Sequence, residues 1–142
     1  MGKVILHLLA GSKKALEAAR LVEALFLAGH RVVVFFTDPN RAGTFDQFLW
    51  TFSQGSFVPH GLWDGMGELD DPVVLTAGRI ANVNQATHLV TVDRPGRPDE
   101  AGEFAEIHDL VAAAPEDEGA RDFWSAGGFE VSEVRGVPSQ AE

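Results

Sequence analysis

The chain has 142 residues, a length that fits one domain, and no cysteine. That excludes a disulfide framework, a thiolate zinc site and a cysteine nucleophile, and it fits a reducing cytoplasm. No apolar stretch approaches the ~18 residues of a membrane span. The N-terminus has one Lys ahead of a short apolar run and no small-residue cleavage site, so it reads as a strand rather than a signal peptide.

The net charge is −10, and it is unevenly placed. Residues 1–98 hold nine acidic and nine basic side chains; residues 99–142 hold twelve acidic ones against Arg121 and Arg135. A surface of this sign repels phosphate backbones, so direct nucleic-acid binding is not expected. It serves solubility or meets a basic partner.

Taken in chain order, Val4–Leu9 is an apolar run interrupted only by His7, as in a strand buried on both faces. Gly11-Ser12 follows, with Ser12 as a predicted N-cap. Leu16, Ala19, Val22, Glu23, Phe26 and Leu27 then trace one helical stripe, and Gly29 supplies the stop. Arg31–Thr37 is a second β-branched run, completing a unit of βαβ size. Asp38-Pro39-Asn40 opens a helix reaching Trp50 or Phe52, with Phe45, Phe48 and Phe52 on its core face. After a polar turn at Ser53–Ser56, Phe57-Val58-Pro59-His60 is an apolar run that Pro59 keeps from being an ordinary central strand. Residues 61–71, rich in Gly and Asp, read as a loop.

Pro72–Thr76 and Thr87–Val92 are further strands, and Asp93–Pro98 is a turn. Phe104, Ile107, Leu110 and Val111 have helical spacing, which leaves 103–111 open between helix and strand. Pro115–Ser125 is the predicted final helix, Phe129–Val134 a short edge strand, and 137–142 a frayed tail beyond a single domain at 1–136. Alternating strands and helices argue for a three-layer α/β/α domain with a mainly parallel sheet.

This fold class suggests a nucleotide site, but the chemistry for one is missing. The first βα turn, Ala10-Gly11-Ser12-Lys13-Lys14, has one glycine where a dinucleotide or phosphate loop needs several at fixed spacing. Asp38, where a ribose-binding acid would stand, is followed by Pro39 and reads as a helix cap. His7, His30, His60, His88 and His108 show no ligand spacing, so no metal site is expected. Asp64, Glu68, Asp70 and Asp71 lack a calcium-loop pattern. The aromatics around the irregular segment are different. Trp50, Phe57 and Trp63 flank one loop, and exposed Trp and Phe make good binding anchors because each buries much area at low entropic cost.

That segment also carries a family resemblance. Phe45-Asp46, Leu49-Trp50 and Ser56-Phe57-Val58-Pro59-His60 are similar to the chi subunit of bacterial DNA polymerase III holoenzyme, and the rest of the chain can be laid along that family in order, out to Gly127-Gly128-Phe129. The resemblance implies a Rossmann-like fold without a phosphate loop, and makes Phe104–Val111 the last parallel strand. It implies a non-catalytic accessory subunit, without cofactor, in the cytoplasm. Its partners would be the psi subunit or an equivalent clamp-loader component, the acidic, Phe-terminated tail of single-stranded DNA-binding protein, and a helicase as an alternative. Trp50, Phe57, Val58, Pro59 and His60 would face psi or that alternative.

In the family the tail site lies near the final helix and uses basic residues around an apolar pocket. Here the matching residues are Arg121, Phe123 and Trp124. The surrounding Glu116, Asp117, Glu118 and Asp122 are acidic where the family is basic, which should weaken an acidic tail's binding by like-charge repulsion. A small-molecule or nucleotide-binding enzyme is the competing reading; it would draw on Asp38, Thr76 and Asp93 at strand ends.

Overall fold

The computed structural model describes residues 2–11, 13–52 and 57–137, with Glu116 lacking a described side chain. The Ser53–Ser56 turn and residues 138–142 of the tail lie outside the described residues.

Seven strands form one sheet in the order β3-β4-β2-β5-β6-β1-β7, and every pairing in it is parallel. They are β1 (Lys3–Leu8), β2 (Val32–Phe36), β3 (His60–Leu62), β4 (Val73–Ala77), β5 (His88–Thr91), β6 (Glu106–Val111) and β7 (Glu130–Arg135). Helices α1 (Lys14–Leu27) and α2 (Pro39–Thr51) cover one face; α3 (Ala120–Ala126) covers the other. β2 is Val-Val-Val-Phe-Phe and buried throughout, because the central strand has helix or chain on both faces and no residue of it meets water.

Two cores follow from this layering. Leu21, Val22, Val34, Phe45, Leu75 and Val90 pack under α1 and α2. Val33, Phe35, Leu89, Phe104, Ile107 and Trp124 pack under α3. Val137, where the tail reading begins, packs partly buried against the first.

Local signals place several boundaries. Asp38 caps α2, its carboxylate accepting from the Asn40 N–H at 2.9 Å, with Pro39 in the first turn. Gly29, at φ +93°, takes the left-handed turn after α1 that a side chain would resist. At the other end of α1 Lys13 holds the cap position and makes no side-chain cap bond; Ser12, the predicted N-cap, lies outside the described residues.

Two further expectations need correction. The stretch read as a loop from residue 61 opens with β3, which pairs His60 with Val73 and Leu62 with Leu75. Pro59 precedes that strand and β3 lies at the sheet edge, so the missing N–H costs no ladder bond. The helix read over Pro115–Ser125 is not continuous. Pro115–Asp117 is a 3-10 turn, Gly119 stands at φ +77°, and α3 starts only at Ala120. The segment left open between helix and strand is strand, as the family resemblance implied: β6 spans Glu106–Val111 despite the helical spacing of its apolar residues. β6 sits between β5 and β1, so Ile107, His108, Asp109 and Leu110 are all buried and the period-2 signature disappears.

Candidate docking surface

Trp50 lies at the C-terminal end of α2 with 46% of its surface exposed, and Phe57 is 61% exposed. Their rings stack at 5.3 Å and 28°, and Trp50 also lies 4.1 Å from the His60 ring. Of seven large exposed apolar side chains among the described residues, four (Trp50, Phe57, Leu62 and Met66) fall between positions 50 and 66. Trp50 and Phe57 touch and form one exposed aromatic patch at the α2–β3 edge, with Leu62 at the end of β3 and Met66 in the loop after it.

The backing of this edge is rigid. His60 is buried; its Nδ1 donates to the Val58 carbonyl at 2.7 Å. Its Nε2 lies 3.1 Å from the Asp46 carbonyl and 3.2 Å from the Asp46 carboxylate, tying the segment to α2. Val58 is 4% exposed and packs into the core with Phe45 and Leu49. That corrects the expectation that Val58 faces a partner: the alternation Phe57 out, Val58 in is what holds the aromatic outward. Pro59 is half-buried between them. Trp63 donates to the Gly67 carbonyl at 3.0 Å and has the Arg79 guanidinium 5.0 Å from its ring.

The second predicted set does not come together. Trp124 is fully buried, its Nε1 donating to Asp109 at 2.9 Å, so it cannot line a surface pocket. Arg121 is exposed and pairs with Glu133 of β7 at 3.1 Å. Phe123, two positions on, turns away from Arg121, since residues at i and i+2 of a helix do not share a face. Its ring lies 5.7 Å from the Arg94 guanidinium.

Phe123 instead borders a cleft of about 650 Å³ beyond the strand C-termini, lined also by Lys14, Thr37, Arg41, Asp93, Arg94 and Asp117. Each cation there has a carboxylate: Lys14 with Asp117 at 3.0 Å, Arg41 with Asp93, and Arg94 with Asp109 and Asp117 at 3.7 and 3.9 Å. Asp93 also accepts from the Thr37 N–H and hydroxyl, and despite its burial these bonds and Arg41 hold its carboxyl below the usual range. Burial pushes Asp109 up to about 6, against the opposing hydrogen bonds of Trp124 and Thr91. The sequence hid this cleft because its cations come from distant segments. The enzyme set does not converge either: Asp38 is spent as a cap, and Thr76 is buried in β4.

A cluster that sequence spacing does not disclose lies on the sheet face shared with α1 and α2. His88, Glu106 and His108 bring one ligand atom each to within 4.8 Å of one another. His7 contacts His108, and His30 stacks on His88 at 3.9 Å. Burial and the neighbouring His7 depress His108 to about 4, and burial lowers His7 and His88 as well. Only Glu106-x-His108, one face of a strand, was visible in the sequence as a hint.

Comparison with known proteins gives two kinds of likeness. Residues 1–127 match the family model described as DNA polymerase III chi subunit, HolC. A probable DNA polymerase III subunit chi from Rickettsia prowazekii (strain Madrid E) is 29% identical over 73 residues, 51% of this chain; the match spans only 44% of that relative's length. Among solved structures, S. cerevisiae Dbp5 L327V bound to RNA and ADP BeF3 superposes with TM-score 0.67 at 13% identity, over 95% of this chain and 41% of that one. An E. coli complex of the DEAD-box protein SrmB with regulator of ribonuclease activity A gives 0.64 at 16%, over 97% and 91%. At such identities the structural likeness establishes an α/β fold of RecA type and nothing about activity.

Proposed function

The chain belongs to the DNA polymerase III chi subunit family, and from that premise we propose that it is a non-catalytic adaptor joining the clamp loader to other replication proteins. The family supports an accessory role in DNA replication; the adaptor role is our reading. The observation that carries it is the Trp50–Phe57 stack, exposed yet held from behind by buried Val58 and His60. A rigid aromatic pair loses little entropy on docking and has the character of an interface hot spot. We assign this edge to psi or an equivalent clamp-loader component, with a helicase as an alternative occupant. Affinity capture from the source cell tests it. Wild type should retain a clamp-loader component that Phe57→Ala releases; equal capture by both removes the edge from the interface.

For the acidic tail of single-stranded DNA-binding protein, the cleft beside Phe123 is a better seat than Arg121. It offers Lys14, Arg41 and Arg94 next to an aromatic ring, although each cation must leave a carboxylate to bind one on the tail. The same cleft, at the strand C-termini, is what a nucleotide-binding enzyme would use. A thermal-shift titration separates the readings: stabilisation by ATP or ADP favours the enzyme, and no shift favours the adaptor. The −10 charge argues that the chain does not itself hold DNA. No helix among the described residues is long and apolar enough to cross a membrane.

A further inference from the structure

We propose that His88, Glu106 and His108 form a binding site for a single divalent transition-metal ion of zinc type. The register of the sheet assembles it. His88 of β5 stands opposite Glu106 of β6, and His108 follows two positions on, so all three side chains leave the same face. Glu106 Oε1 lies 2.8 Å from His108 Nε2 and 3.8 Å from His88 Nε2. These values bracket the roughly 3.3 Å between ligand atoms that tetrahedral geometry with ~2.0–2.1 Å bonds requires.

The hydrogen bonds around His108 point independently to the same ion. The Gly136 carbonyl accepts from His7 Nδ1 at 2.9 Å, so that nitrogen carries the proton of a neutral His7 ring. His7 Nε2 then accepts from His108 Nδ1 at 2.8 Å. That leaves His108 Nε2 with its lone pair aimed at a carboxylate oxygen 2.8 Å away. Two lone pairs at that distance need a proton or a cation between them. The backbone-anchored His7 acts on His108 as the outer partner of a metal-bound histidine does, fixing which nitrogen is free. The Thr87 hydroxyl takes up His88 Nδ1 at 2.7 Å, leaving Nε2 as that ring's ligand atom.

The surroundings also fit. Lys3 pairs with the other oxygen, Glu106 Oε2, at 3.5 Å, so Oε1 remains for one-oxygen ligation, though the ammonium weakens ion binding by its charge. Both histidines are buried, while Glu106 is partly exposed and gives the ion a route in and a position for water. Two imidazoles and one carboxylate with an open position suit zinc better than magnesium or calcium, which prefer all-oxygen shells.

The test uses the full chain freed of metal with a chelator. Isothermal titration with Zn²⁺ should give one ion per chain, and Co²⁺ should develop the intense visible bands of a four- or five-coordinate site. His88→Gln and Glu106→Gln should each weaken zinc by about tenfold or more, while Glu68→Gln, on an exposed loop, should not. Zinc should raise the melting temperature of wild type but not of Glu106→Gln. Should a variant fail to fold, nitrogen NMR of wild type decides: zinc should shift His108 Nε2 to the metal-bound range. Absence of one-to-one uptake, uptake untouched by both ligand variants, or a His108 that remains a protonated imidazolium in excess zinc would each overturn the site.

Discussion

Trp124 Nε1 donates to Asp109 Oδ2 at 2.9 Å inside the second core, and the Thr91 hydroxyl donates to the other carboxylate oxygen at 2.9 Å. An aromatic side chain that looked like a surface contact is instead the polar clamp between α3 and β6. Trp124→Phe keeps most of the apolar volume but removes one donor from a buried carboxylate. It should cost about 1–3 kcal/mol of stability in urea denaturation. Tail-peptide affinity of the folded variant should match wild type; a selective loss of peptide binding would return Trp124 to the interface.

The same carboxyl predicts a pH dependence. In the folded state Asp109 titrates near 6 rather than at 3.8, chiefly because it is buried. Its protonated form therefore contributes stability that is fully present below 3.8 and is lost as pH rises through about 6. Asp109→Asn lacks this titration. Across pH 4–7.5 the stability of wild type relative to the variant should fall by on the order of 3 kcal/mol. A difference that stays flat across that range would refute the assignment.

Phe57 and Val58 are adjacent but should behave oppositely. Val58→Ala removes buried methyls and should cost about 1.5–3 kcal/mol in chemical denaturation. Phe57→Ala should change monomer stability far less, and cost at least about 2 kcal/mol in partner binding if the ring is a hot spot. A large stability loss for Phe57→Ala would mean that the ring supports the fold.

Arg94 and Arg121 test where an acidic tail binds. Calorimetric titration with an acidic, Phe-terminated peptide should weaken several-fold for Arg94→Ala and be unchanged for Arg121→Ala, which already serves Glu133. The affinity should fall with salt, because the contact is between opposite charges at an open cleft, which mobile ions screen. The reverse ranking would move the site to the α3–β7 edge.

Much of this protein was legible in order along the chain. The Val32–Phe36 run, the Asp38-Pro39 cap and the Gly29 stop are local signals, and each sits where the residues alone put it. The exposed Phe57 was legible too, from a polar turn ahead of it and Pro59 behind. What could not be read is whatever depends on which strands become neighbours. His88 and Glu106 are eighteen positions apart and meet only because β5 and β6 pair in one register. Trp124 and Val58 are apolar side chains in segments that could have been surface or core, and only the layers stacked against them put them inside. Helix caps and strand composition act through the chain's own backbone, so sequence determines them. Burial, charge pairing and ligand geometry are set by residues distant in sequence, so tertiary structure alone decides them.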